Sequence, residues 1–166
     1  MPEASIRALT MGEIPALVEL AARIWRAHYA GMLSQAQIDY MLAQRYRPQL
    51  IAAQIEDPMQ RWLVAAAGPG LVGYAHVYRE DAQRAKLDKL YVAPERQRRG
   101  LGRALLAAAE DSARAWGASR LVVRTNKANA QALAAYARYG FGAAVAVVED
   151  IGGGFIMDDY QLEKIL

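Results

Sequence analysis

A glycine-bearing, arginine-rich turn near the middle of the chain is where residue types and spacing most suggest chemistry. The residues before it, Leu87 to Val92, are mostly apolar, aromatic or β-branched and predict a strand that ends before Pro94. The residues after it, Arg103 to Trp116, are rich in Ala and Leu and predict a helix that ends at Gly117. The N-terminus of that helix would offer unpaired N–H groups and a partial positive charge, and both attract phosphate.

The turn itself contains residues that would let a phosphate approach the backbone. Gly100 and Gly102 lack a Cβ, and arginine side chains match phosphate oxygens bidentately. The arginines of the turn are Arg96, Arg98, Arg99 and Arg103. The stretch predicts a pyrophosphate-binding loop, with a solvated basic turn as the structural alternative. It is not a P-loop, because no Lys-Ser or Lys-Thr follows the second glycine, and it lacks the third glycine of a dinucleotide fingerprint.

Two motifs resemble those of a known enzyme family. Gln97-x-x-Gly100-x-Gly102 resembles the acyl-CoA signature of the GNAT superfamily of N-acetyltransferases, and Leu90-Tyr91-Val92 resembles that family's cofactor strand. Downstream, a second run resembles the second GNAT signature, namely Asn129-x-x-Ala132-x-x-x-Tyr136-x-x-x-Gly140-Phe141. The resemblance covers roughly residues 71–162. It implies an enzyme that transfers an acetyl group from acetyl-CoA directly to a primary amine.

The resemblance also implies which residues bind the cofactor. The backbone of Leu90 and Val92 would pair with the pantetheine arm, the amides from about Arg98 to Arg103 would hold the pyrophosphate, and Asn129 would contact the arm. The cofactor-binding residues expected on this basis are Leu90, Tyr91, Val92, Gln97, Arg98, Arg99, Gly100, Leu101, Gly102, Arg103 and Asn129.

Tyr136 is the residue that the resemblance places against the thioester sulfur. Transfer from a thioester to an amine expels a thiolate, whose conjugate acid has a pKa near ~8.5. A tyrosine hydroxyl, with a pKa near ~10, can give that thiolate a hydrogen bond or a proton while staying neutral itself at pH 7. Spacing alone would make Tyr136 a core residue beside Leu133, but the flanking motif favours the role of catalytic acid.

By the same resemblance, the acceptor would lie across the sheet opening from CoA, near the turn after the first helix. That position makes His28 and Tyr29 candidate acceptor ligands, with simple packing as the alternative. Asp88 is a further candidate, because it alternates onto the strand face of Leu90 and Val92. A small amine, a polyamine, an amino acid and a protein N-terminus all stay open as acceptors.

The general base is not decided by the sequence. The attacking amine must lose its proton, and a carboxylate near the acetyl group would serve. Asp88, Glu80 and Asp81 are candidates, and for Asp88 the alternative is a pair with Lys86 or Lys89. The base is therefore left unassigned.

Composition limits the classes of chemistry. The 166 residues suit a single N-acetyltransferase domain, 1–166, and 54% hydrophobic with 22% charged residues is typical of a globular protein. Without cysteine there is no disulfide or thiol nucleophile, and with only two histidines no metal site is expected. No apolar run reaches the roughly 18 residues of a membrane span, and the N-terminus lacks signal-peptide features. We expect a cytoplasmic protein without membrane partners, compatible with a homodimer.

The order of predicted elements is β, helices, β-hairpin, β, α, β, α, β, β. The first strand lies at Ile6–Leu9, the hairpin strands at Arg61–Ala67 and Leu71–Tyr78, and the last two strands at Ala143–Val148 and Phe155–Leu162. This order predicts an α/β fold with a mixed, mostly antiparallel central sheet flanked by helices.

Two other functions are compatible with the motifs. A GNAT-like module could bind acyl-CoA and regulate without catalysis, although the presence of Tyr136 argues against it. A nucleic-acid binder could use the arginine cluster, but no aromatic residues interleave with that cluster and the net charge is only +3. We therefore expect acetyl-CoA as cosubstrate, an amine acceptor as partner, and no nucleic acid.

Overall fold

The computed structural model describes residues 4–166, which form a seven-stranded sheet with helices on both faces. The strands are β1 (Ser5–Ala8), β2 (Gln60–Ala67), β3 (Gly70–Arg79), β4 (Arg84–Val92), β5 (Arg120–Asn126), β6 (Gly142–Gly152) and β7 (Phe155–Ile165). The α-helices are α1 (Ile14–His28), α2 (Gln35–Arg45), α3 (Pro48–Glu56), α4 (Leu101–Ala115) and α5 (Ala130–Arg138). Short 3₁₀ helices at Met11–Glu13 and Pro94–Arg96 precede α1 and α4.

The strands lie in the order β1-β2-β3-β4-β5-β7-β6, and neighbouring strands are antiparallel except for β4 and β5. The predicted mixed, mostly antiparallel sheet flanked by helices is confirmed. Boundaries differ by a few residues. Helix α4 begins at Leu101 instead of Arg103, because Gly100 takes a left-handed conformation (φ 79°) as N-cap and both following residues join the first turn.

The helices cover the two faces of the sheet with separate cores. Helix α1 has Pro15 in its first turn, where the missing N–H costs nothing, and it buries Leu17, Ala21 and Trp25. Helices α1, α2 and α3 share one core, and α4 and α5 share the core on the other face. Among residues 4–166, none of the helices combines the length and apolar character needed to cross a membrane.

The sheet opens between β4 and β5, and this opening positions the site. The two strands pair in parallel only over residues 84–87 of β4 and 120–123 of β5. The register of β4 with β3 then shifts, so that Asp88 is the extra residue of a β-bulge. A bulge bends its strand and increases the local twist. Beyond Asp88, β4 therefore diverges from β5, and the edge of β4 that faces β5 is left unpaired.

Candidate active site

Two clefts meet at the gap between β4 and β5. The first, of about 400 Å³, lies between the end of β4, the N-terminus of α4 and helix α5. The second, of about 270 Å³, lies among α1, α2, β4, β5 and the β6–β7 hairpin. Six residues line both clefts, namely Tyr29, Leu87, Asp88, Tyr91, Arg124 and Thr125. A molecule in one cleft would therefore lie next to a molecule in the other.

The first cleft ends at the exposed N-terminus of α4. The backbone N–H groups of Gly100, Leu101, Gly102 and Arg103 have no acceptor among the described residues. A Cβ on Gly100 would meet no atom within 4 Å, so the space beside Gly100 is open. Arg98, also at positive φ (64°), lines the same cleft. Free amides, a helix N-terminus and a guanidinium together form a binding place for an anion.

Most of the sequence-predicted cofactor residues line this first cleft. They are Leu90, Tyr91, Val92, Gln97, Arg98, Gly100, Leu101, Gly102 and Asn129. Arg99 and Arg103 do not line it, and the guanidinium of Arg103 lies instead over the ring of Tyr139, 5.0 Å from its centroid. At the end of β4, the carbonyl of Val92 accepts a hydrogen bond of 3.2 Å from the side chain of Gln97.

Tyr136 lies on α5 and contributes to the first cleft. Asn129 caps this helix, because its side-chain oxygen accepts from the N–H of Ala132 at 3.2 Å. The ring of Tyr136 packs edge-on against Phe141, with centroids 5.3 Å apart, while its hydroxyl has no hydrogen-bond partner among residues 4–166. Burial raises the pKa of the Tyr136 hydroxyl above its ordinary value. The group is therefore a neutral donor at physiological pH.

His28 and Tyr29, at the C-terminal end of α1, were predicted from the sequence as acceptor ligands, but they lie in different places. Tyr29 is buried, lines both clefts, and shares a hydrogen bond of 2.9 Å between its hydroxyl and that of Tyr91. His28 lines the first cleft only, and burial lowers the pKa of its imidazole. Tyr29 thus stays a candidate acceptor contact, whereas His28 lies nearer the predicted cofactor.

Asp88 is held in a network of cations at the bulge. Its carboxylate lies 3.1 Å from Arg45 and 3.4 Å from His76, and it pairs with the buried ammonium of Lys89. Burial acts to raise the pKa of this carboxyl, but the charges of Arg45 and Lys89 outweigh it and hold the pKa well below its usual range. The ion pair between Asp88 and Lys89, which the sequence suggested as the alternative to a role as base, is present. A carboxylate so strongly paired is a weak proton acceptor.

The other two base candidates lie away from the gap. Glu80 and Asp81 line neither cleft. The carboxylate of Asp81 accepts hydrogen bonds of 2.8 Å from the N–H groups of Gln83 and Arg84, which fixes the loop between β3 and β4. His76 is buried against the ring of Trp62.

Sequence reasoning missed the charged residues of the second cleft. These are Arg45, Lys86, Arg124, Glu149 and Asp159, which come from α2, β4, β5, β6 and β7. A signal for Asp159 does exist in the sequence. Side chains alternate along a strand, so one of the adjacent acids Asp158 and Asp159 in β7 must point inward.

The fold and the sequence match one enzyme family. The model of the acetyltransferase (GNAT) family matches residues 16–141. The chain is 27% identical over 158 residues to a spermidine N(1)-acetyltransferase of Thermoplasma acidophilum, covering 92% of this chain and 94% of that protein. It is 40% identical over 91 residues to the streptothricin acetyltransferase of Streptomyces lavendulae, covering 54% of this chain and 48% of that protein.

A solved structure gives the same result. The crystal structure of the PaiA N-acetyltransferase of Thermoplasma acidophilum in complex with coenzyme A superimposes with a TM-score of 0.84 and 25% identity, covering 98% of this chain and 99% of that one. The family match includes the turn before α4 and the whole second motif, which ends at Phe141. The chain belongs to the GNAT family of acetyltransferases and is an N-acetyltransferase.

Proposed function

We propose that acetyl-CoA binds in the first cleft, that a primary amine enters from the second, and that the acetyl group passes between them at the gap between β4 and β5. One observation carries this proposal, namely that the two clefts share a wall of six residues where the strands diverge. A single cleft would require both substrates to enter from one side. Two adjoining clefts let the amine approach the thioester directly.

The residues of the first cleft suit the parts of acetyl-CoA. The free N–H groups from Gly100 to Arg103 and the guanidinium of Arg98 would hold the pyrophosphate. The unpaired edge of β4 would take the pantetheine amides as an added strand, once the Gln97 side chain releases the Val92 carbonyl. The related PaiA structure, solved with coenzyme A, supports this assignment.

We assign Tyr136 the role of acid to the departing thiolate. Its hydroxyl is protonated, lies in the first cleft and has no partner within the described residues, so its proton is available to a group bound there. Tyr91 and Tyr29 are already hydrogen-bonded to each other. We propose direct transfer because the two clefts adjoin where the acetyl group would lie, and the sequence contains no cysteine that could carry the acetyl group.

The acceptor is an alkyl primary amine, with spermidine as the first compound to test. The relative that aligns over most of the chain is named a spermidine N(1)-acetyltransferase, and the one that aligns over half is named a streptothricin acetyltransferase. The direct test is release of CoA thiol from acetyl-CoA on addition of spermidine, streptothricin, free amino acids or peptide N-termini. We expect steady thiol release with at least one of them.

The same assay separates the enzyme from a non-catalytic module. A module would bind CoA, and so raise the melting temperature through linkage, without releasing thiol in the presence of any amine. That result would contradict the proposed function while leaving the first cleft as a CoA site.

A further inference from the structure

Asp159 is a buried carboxylate without a partner among residues 4–166. It lies on β7 between β5 and β6, opposite Asn126 and Val147, so its backbone is fixed on both sides. Only 8% of the residue is exposed, and it lines the second cleft. Its Oδ1 is the one buried side-chain polar atom within residues 4–166 that has no hydrogen-bond partner. Because leaving a buried polar atom unsatisfied is costly, such an atom calls for a functional explanation.

Among the charged residues that line the second cleft, Asp159 differs from the others in having no ion-pair partner within the described residues. Three cations line the cleft, and each lies within ion-pair distance of another carboxylate. Arg45 and Lys86 face Asp88 at 3.1 and 4.0 Å, and Arg124 faces Glu149 at 3.1 Å. Within the described residues, no cation is within 4.0 Å of Asp159. The cleft is lined by three cations and three carboxylates, but among the described residues Asp159 is the carboxylate with no cation at ion-pair distance. An ammonium group of a bound ligand would supply that missing contact.

The surroundings of Asp159 connect it to the gap between the clefts. Asp159 and Tyr29 both line the second cleft, and Tyr29 also lines the first. Burial raises the pKa of the Asp159 carboxyl, and the charges of Arg124 and Arg45 act against that rise.

We propose that Asp159 binds the ammonium group of the acceptor and takes one of its protons, which frees the nitrogen lone pair to attack the thioester. This inference rests on the proposed function, which puts the acceptor in the second cleft. The ligand it defines is a primary alkylammonium. Among the described residues of the cleft, Asp159 is the carboxylate without a cationic contact, so the site provides for one ammonium group.

The proposed step balances as follows. The lone pair of the nitrogen forms the new N–C bond to the acetyl carbon, and the C–S bond breaks. Of the two protons that the ammonium loses, Asp159 receives one and returns it to solvent. The other proton replaces, on the Tyr136 hydroxyl, the proton that Tyr136 gives to the sulfur. An alkylammonium and acetyl-CoA thus give an N-alkylacetamide, the CoA thiol and one proton.

The test compares Asp159→Asn with Asp158→Asn, using spermidine as probe. Both changes remove one negative charge from β7, but Asp158 is exposed and pairs with Lys127 at 2.8 Å outside the cleft. For Asp159→Asn we expect kcat/KM for spermidine to fall about 10²-fold, the lower end for loss of a general base. Binding of spermidine to the CoA-loaded protein, measured by calorimetry, should weaken about 10-fold, as expected for loss of a charge-assisted hydrogen bond.

Two further readouts separate this role from a structural one. Asp159→Asn should bind CoA as the parent does and should melt at the same or a higher temperature at pH 7, because it removes a buried unpaired charge. Asp158→Asn should match the parent in turnover and spermidine binding. A loss of both CoA binding and thermal stability in Asp159→Asn would overturn the proposal in favour of a packing role.

Other outcomes also decide the question. If the parent acetylates spermidine and Asp159→Asn does so at the parental rate when chemistry limits, the inference fails while the proposed function stands. If the parent binds spermidine without acetylating it, and only Asp159→Asn loses that binding, the ammonium site stands while the proposed chemistry fails. A parent that binds CoA but neither binds nor acetylates spermidine would overturn Asp159 as an alkylammonium site.

Discussion

The two clefts are built in different ways. The first combines one continuous stretch, residues 87–102, with residues of α1, β5 and α5. The second is assembled from six elements that are far apart in sequence, α1, α2, β4, β5, β6 and β7. A local sequence motif thus identifies the cofactor site, whereas the surface that contacts the acceptor forms only in the tertiary structure. This difference is why the donor could be inferred from sequence and the acceptor could not.

The second cleft contains a further contrast, between two carboxylates. Asp88 has four cationic or imidazole partners within 4.0 Å, and Asp159 has none among the described residues. Opposite surroundings shift the pKa of Asp88 down and the pKa of Asp159 up. Such a divergence between neighbouring acids often separates a structural from a functional group.

The largest expected effect is on stability and comes from Asp88. Asp88→Asn would leave the ammonium of Lys89 buried without its counter-charge, and we expect the free energy of unfolding to fall by about 3 kcal/mol. Urea unfolding at pH 7 measures it. Asp39→Asn is the control, because Asp39 is exposed and its pair with Arg26 should contribute less than about 1 kcal/mol.

The pH dependence of unfolding sharpens the same contrast. Asp88, with its lowered pKa, stabilises the fold above its unfolded pKa near 3.8, and that contribution is lost as the pH falls through the folded pKa. Asp159, with its raised pKa, behaves in the opposite sense, since its contribution is present below 3.8 and lost as the pH rises. Equal stability losses for Asp88→Asn and Asp159→Asn at pH 7 would remove the contrast.

The next largest effect concerns the first cleft and the chemical step. Tyr136→Phe removes one oxygen and keeps the ring, so the core should persist, while turnover should fall about 10²-fold, as for a lost general acid. The loss should be smaller with an acyl donor whose thiol is more acidic. Tyr78→Phe is the control, since Tyr78 lines neither cleft. Parental turnover by Tyr136→Phe, with chemistry limiting, would make Tyr136 a packing residue only.

A smaller effect tests where the anion binds. Gly100→Asn keeps a residue type that tolerates the left-handed conformation, but it puts a side chain in front of the free amides of α4. We expect CoA affinity to fall about 10-fold, equivalent to about 1.4 kcal/mol. Gly117→Asn is a matched control, because Gly117 lies at the other end of the same helix with φ 83° and open space at its Cβ. Equal CoA affinities in the two variants would show that the pyrophosphate lies elsewhere.

The sequence predicted those parts of the molecule whose signals are local. The order of strands and helices and the end of α4 near the left-handed Gly117 follow from short-range preferences. The spacing of residues in the two motifs also indicated that Gly100 and Tyr136 would line the cofactor cleft. The bulge at Asp88, the ion pair between Asp88 and Arg45, and the inward position of Asp159 depend on which strands become neighbours. Contacts between residues far apart in the sequence, such as Arg45 and Asp88, which are 43 positions apart, cannot be inferred from a short stretch of sequence.

The most direct test of the two-cleft account uses a conjugate in which CoA and spermidine are joined through an acetyl linker. Gly100→Asn should weaken binding of CoA and of the conjugate, but not of spermidine. Asp159→Asn should weaken binding of spermidine and of the conjugate, but not of CoA. The two losses should add in the double variant, because the sites are separate. Conjugate binding that responds to Gly100→Asn alone would contradict the account, since the amine would then lie outside the second cleft.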